Sequence, residues 1–170
     1  MLLGPEGGDA RSLAYNPSDP NNVFLGTSTG TLFVSGDAGR SWVRFAHLGG
    51  DNYVLDHIVI DSRHPEIMFV SAWNIDDQTH GDVFRSRDGG KSWVPLPDMH
   101  GKSVRTLAMA FSNPNVIVSG TLDGVYRSND GGDSWQRISP ASLTEIKNVE
   151  SIAIGPKDPN LIYAGTWHLP

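Results

Sequence analysis

The chain has 170 residues, 19% of them charged, a formal net charge of -6 and no cysteine. These values exclude a disulfide framework and a thiolate metal centre, and the mild acidity argues against general nucleic-acid binding, which draws on a basic face. Gly 19 and Pro 11 beside 38% hydrophobic residues suit an all-β chain with many tight turns, and no apolar run reaches the ~18 residues of a membrane span.

In chain order, residues 12–15 (SLAY) read as a short apolar strand. A Pro/Asn/Asp turn follows, then a second strand at 22–25 (NVFL) and a third at 31–34 (TLFV). The third leads into Ser35-Gly-Asp37-Ala-Gly39-Arg-Ser41-Trp42, and a fourth leaves through the tryptophan. The same order restarts at 57–60 (HIVI), with 82–85 leading into Ser86, Asp88, Gly90, Ser92 and Trp93. It restarts again at 106–109 (TLAM), with 124–127 leading into Ser128, Asp130, Gly132, Ser134 and Trp135. A fourth copy opens at 151–154 (SIAI) and 161–164 (LIYA) and stops before its turn motif arrives.

Two periodicities support this reading. The S-x-D-x-G-x-S-W motifs stand 51 and 42 residues apart, the spacing of four-stranded propeller blades. Pro20, Pro65, Pro114 and Pro159 recur at 45, 49 and 45 residues, and six residues after each comes a small residue: Gly26, Ser71, Gly120 and Gly165. The predicted fold is therefore all-β, a β-propeller fragment of three complete four-stranded blades and half of a fourth, cut from a longer parent. The blades fall at about 8–46, 53–97 and 102–139, with the half-blade at 148–170. Residues 140–146 could form one helical turn.

The turn motif has a local logic. The Asp carboxylate accepts hydrogen bonds from backbone N–H groups, the Ser hydroxyl closes the turn, and Gly39, Gly90 and Gly132 supply backbone conformations unfavourable to other residues. The tryptophan is expected to bury its indole and lock the turn. With one carboxylate per turn, a calcium loop is not expected, and no metal or cofactor is assigned.

The S-x-D-x-G-x-S-W pattern resembles the Asp-box (BNR) repeat family of β-propellers over nearly the whole chain. That family includes sialidases, xyloglucanases, sortilin-type receptors and propeller factors that assist photosystem II assembly. The D-G-G-x-S-W boxes with their V-F-R-S strands look most like the assembly-factor-like and bacterial members. The resemblance implies a parent of about seven blades, boxes remote from the ligand face, and a structural role for Asp37, Asp88 and Asp130. It allows an extracytoplasmic location, although residues 1–5 lack the features of a signal peptide.

By the same resemblance, ligands meet the loops between strands two and three and between blades. Two places qualify. The first is the longer loop Trp73-Asn-Ile-Asp76-Asp77-Gln-Thr-His80, six or seven residues longer than its counterparts. The second comes from aligning the first strands, which puts Arg11, Asp56, Arg105 and Glu150 at one position with alternating charge. They read either as Arg–carboxylate staples between blades or as a polar ligand ring, with Trp73 and Trp167 as an aromatic wall. Sialidase chemistry is disfavoured, because residues 3–12 lack the F/Y-R-I-P-like motif of that group. The expected function is a non-catalytic propeller that binds protein as an assembly platform. The alternative is part of a carbohydrate-active propeller. The open blade edges are also expected to favour self-association.

Overall fold

The computed structural model describes residues 5, 9–140 and 146–167, and the helical turn predicted at 140–146 lies almost wholly outside them. Four antiparallel sheets follow one another along the chain. The first contains β1 (Ala10–Asn16), β2 (Asp19–Thr27), β3 (Thr31–Ser35) and β4 (Val43–His47). The second contains β5 (Tyr53–Ile60), β6 (Met68–Asn74), β7 (Gly81–Ser86) and β8 (Val94–Pro95). The third contains β9 (Val104–Met109), β10 (Ile117–Thr121), β11 (Gly124–Ser128) and β12 (Gln136–Arg137). Strands β13 (Val149–Ile154) and β14 (Ile162–Thr166) form the half-blade. Each sheet is a meander in sequence order, so the predicted three blades and a half are present.

The sheets pack face to face through their alternating apolar residues. Phe24 and Leu32 of the first blade meet Leu55, Met68, Val70 and Phe84 of the second. Phe69 and Val83, on the other face of the second, meet Leu107, Ile117 and Tyr126 of the third. Val118 and Val125 then meet Val149 of the half-blade. Period-two alternation thus builds a separate core at each blade junction, with burial the main stabilising term. Leu13 and Tyr15, which align with the first-strand core residues of later blades, are exposed.

All three turn motifs have the same hydrogen-bond pattern. In the second, the Ser86 hydroxyl donates to Asp88 Oδ1 at 2.8 Å and accepts from Gly90 N at 2.8 Å. Asp88 also accepts from Ser92 N at 2.9 Å and Ser92 Oγ at 2.6 Å. The motifs at Asp37 and Asp130 repeat these contacts within 0.1 Å or so. Gly90 has φ +89°, and a Cβ there would stand 2.4 Å from Phe45 of the preceding blade. The glycine therefore serves the blade junction as well as the turn.

The tryptophans are not uniformly buried as expected. Trp135 is buried in the junction between the second and third blades, whereas Trp42 and Trp93 are only partly covered. Each indole N–H donates to its own motif's glycine carbonyl, at 3.1, 2.8 and 3.3 Å in chain order. That bond holds the ring against its turn, and the neighbouring sheet decides how much of it is covered.

Candidate functional site

The small-residue step six residues after each proline marks a β-bulge. Strand β1 pairs Ala10 with Thr27 and Ser12 with Gly26, which leaves Arg11 as the extra residue. The same slip leaves Asp56 between Leu55 and His57, Arg105 between Val104 and Thr106, and Glu150 between Val149 and Ser151. A bulge bends its strand and re-aims one side chain. Four bulges at one register thus place Arg11, Asp56, Arg105 and Glu150 at equivalent positions on the first strands of successive blades. The second blade has Ser71 at the step opposite, and at the glycines a Cβ would come close to the next blade: 2.9 Å from Leu55 at Gly26 and 2.6 Å from Val149 at Gly120. The incoming first strand of the next blade occupies that space.

Three of these residues join one network. Arg11 Nε and Nη2 both lie 3.1 Å from Asp56 Oδ1. Trp73 Nε1 donates to the other carboxylate oxygen, Oδ2. The Arg105 guanidinium lies 3.8 Å from the centroid of the Trp73 ring. Burial lowers the pKa of Arg105 from its ordinary value, while Glu150 and Asp56 oppose that shift. The group remains a cation, as arginine does throughout the physiological range. Glu150 is exposed and forms no ion pair within 4 Å among the described residues. Of the inter-blade Arg–carboxylate pairs expected along this column, Arg11–Asp56 is a direct ion pair among the described residues.

The long loop starts later than its sequence suggests. Trp73 lies inside β6, paired with Val54 on one side and Gly81 on the other, and is buried. The exposed loop covers 75–80. It is tied by its own polar groups: Asn74 Oδ1 accepts from the N–H groups of Asp76 and Asp77, and Thr79 Oγ1 donates to Asp77 at 2.6 Å. His80 Nδ1 stands 2.7 Å from Asp77, and Asn52 donates to Asp76 at 3.3 Å. Hydrogen bonds from Thr79, and then the neighbouring His80, lower the pKa of Asp77. Among the described residues no three His, Asp or Glu side chains converge in a metal-ligand arrangement. Trp167 follows β14 and is exposed, with its backbone N–H donating to Asn148 O at 2.9 Å, so its setting differs from that of Trp73.

Two arrangements on this side have no repeated sequence signal. Asp82, buried on β7, accepts from Tyr53 Oη of β5 at 3.1 Å and lies 2.8 Å from His100 Nδ1, which ties the second blade to the linker that follows it. A cleft also opens between Thr79, Lys102, Ser103, Asp123 and Lys147. Their residues come from turns and linkers of different length, where the repeat offers no register to align.

The sheet order and junctions define a β-propeller segment. No family profile matches the chain. A probable oligoxyloglucan-reducing end-specific xyloglucanase from Neosartorya fischeri is 28% identical over 98 residues, covering 56% of this chain and 11% of that protein. Among solved structures, an ancestral GH74 enzyme matches 92% of the chain with a TM-score of 0.75 and 25% identity. YCF48 bound to D1 peptide matches 81% with a TM-score of 0.61 and 19% identity. The chain spans only 22% and 41% of those two chains, respectively. Both the GH74 and the YCF48 chains therefore share this fold.

Proposed function

We propose that the chain is part of a non-catalytic Asp-box propeller whose loop face binds a protein partner, with Arg11, Arg105 and Glu150 at the contact surface and Asp56 and Trp73 holding the arginines from beneath. The observation that carries this reading is the Arg11–Asp56–Trp73–Arg105 network. Both oxygens of Asp56 are engaged, which suits a positioning carboxylate better than a hydrolytic nucleophile or acid. Arg105, stacked on its indole platform, is suited to recognising a carboxylate on a partner. The loop residues Asp76, Asp77 and His80, and the exposed Trp167, extend this surface. The similarity to YCF48 bound to D1 peptide supports a peptide-binding use.

A second reading, a segment of a carbohydrate-active propeller, draws support from the xyloglucanase similarity and the higher GH74 TM-score. Its catalytic carboxylate pair would lie largely outside this segment. Fluorescence anisotropy with a labelled glutamate-rich peptide and reducing-end release from xyloglucan separate the two. Peptide binding that weakens roughly tenfold in Arg105→Ala, the loss expected for one charge-assisted contact, supports the binding platform. Unchanged binding in folded Arg11→Ala and Arg105→Ala variants would reduce the network to a structural staple. Reducing-end release favours the second reading.

A further inference from the structure

Outside the bulge network, the cleft between the second and third blades has a volume of about 300 Å³. The β6–β7 loop contributes Thr79, the linker before β9 contributes Lys102 and Ser103, the β10–β11 turn contributes Asp123, and the linker before β13 contributes Lys147. Lys102 packs its backbone against Gly81, whose register partner is Trp73, so the cleft adjoins the network without sharing its side chains.

Its polar groups are unevenly matched. Among the described residues no carboxylate oxygen lies within 4 Å of Lys102 or Lys147. Lys102 Nζ instead stands 4.7 Å from the centroid of the Tyr126 ring. Burial opposes ionisation of Asp123, but hydrogen bonds from Thr121 and Tyr126 and the nearby Lys102 charge lower its pKa, with no ion pair formed. Asp123, the one carboxylate lining the cleft among the described residues, accepts from Thr121 Oγ1 and from Tyr126 Oη at 2.8 Å. Arg137, bonded to the Asp123 backbone carbonyl, adds a further cation beside it. Ser103 is buried, and its Oγ has no hydrogen-bond partner among the described residues. A buried hydroxyl left unmatched costs about 1–3 kcal/mol, a penalty that an incoming acceptor removes.

We propose that this cleft binds an oxyanion, a carboxylate or phosphate group, with Lys102 and Lys147 as charge partners and Ser103 Oγ as hydrogen-bond donor. The Asp123 carboxylate already has Thr121 and Tyr126 as donors and Lys102 and Arg137 as nearby cations, so an incoming cation would meet the two ammonium groups without a free counter-charge, and an apolar ligand would strand the lysines and the serine. An oxyanion matches both the charge and the donor. The assignment goes beyond the network's binding role and stands independently of Arg11 and Arg105.

The test is an amide NMR titration of the 170-residue chain with inorganic phosphate and, separately, acetate, with chloride holding the ionic strength constant. Saturable shifts centred on Ser103, Leu122 and Asp123 are expected. Saturation by phosphate alone identifies a phosphate site, saturation by acetate alone a carboxylate site, and saturation by both a general oxyanion site. Lys147→Met, at an exposed position that leaves the fold intact, should weaken binding roughly tenfold, as should Lys102→Met. Lys157→Met, outside the cleft, should titrate like the parent. No saturable shift with either anion, or parental affinity in both Lys102→Met and Lys147→Met, overturns the proposal.

Discussion

Trp73 carries Arg105 on its ring face, 3.8 Å from centroid to guanidinium, while its indole N–H donates to Asp56. One buried side chain therefore couples a bulge residue of its own blade to one of the next. Trp73→Phe keeps an aromatic face beneath Arg105 but removes the donor to Asp56 Oδ2. The expected loss is about 1–3 kcal/mol, the cost of an unmatched, largely buried acceptor. Trp73→Ala removes ring and donor together and should cost about 3–5 kcal/mol. Urea unfolding at constant slope measures both. Equal midpoints for Trp73→Phe and the parent would show that the indole N–H bond contributes nothing.

The three motif tryptophans should differ in stability cost, because their surroundings differ. Trp135→Ala opens a cavity in the junction between the second and third blades and should cost about 3–5 kcal/mol. Trp93 packs against the junction core from a partly exposed position, and Trp42 is partly exposed outside the junction clusters, so their alanine variants should cost progressively less. A denaturant series that ranks Trp42→Ala as the most damaging would contradict this account.

The repeat made the blades and turn motifs legible, because a chain that writes S-x-D-x-G-x-S-W three times fixes one register by itself. The same alignment put Arg11, Asp56, Arg105 and Glu150 in one column. It did not reveal that each is the extra residue of a bulge, since a bulge depends on which residues pair across two strands. Trp73 looked like a loop residue because the loop after it is long. Its pairing with Gly81 extends β6 to Asn74, and Gly81 is needed there because a Cβ would stand 2.2 Å from the Ala72 carbonyl oxygen. Lys102, Ser103 and Lys147 lay in linkers without repeated spacing, and only the packing of blades assembles their cleft.

Gly90 and Gly39 test whether the turn glycines serve the turn alone. Both have positive φ, +89° and +85°, so alanine at either position bears a left-handed backbone penalty of about 1–2 kcal/mol. At Gly39 the new methyl group meets only Trp42, at 3.5 Å. At Gly90 it meets the Phe45 ring at 2.4 Å, which adds an overpacking cost of about 1–3 kcal/mol. Gly90→Ala should therefore be the more destabilising by about that margin. Equal losses for the two variants in thermal or urea unfolding would remove the blade-junction role of Gly90.

The motif carboxylates also define a pH response. Hydrogen bonds from the second serine's hydroxyl and amide, then from the first serine's hydroxyl, hold Asp37, Asp88 and Asp130 at about 2. An aspartate in an unfolded chain titrates near 3.9, roughly. The unfolded chain therefore takes up these protons first as acid is added. Their stabilising contribution is fully present above about pH 4 and is lost as the pH falls through about 2. Carbon-detected NMR titration should find all three carboxylates still ionised when ordinary aspartates have protonated. Ser92→Ala removes the leading donor to Asp88 and should move that titration up toward the ordinary range, with Asp37 and Asp130 unmoved. Thermal unfolding of the same variant should fall less steeply between about pH 4 and 2, because one linked proton uptake has been weakened. If Asp88 in the parent titrates at the unfolded value, the turn's hydrogen bonds do not favour its charged form and the acid response must come from other groups.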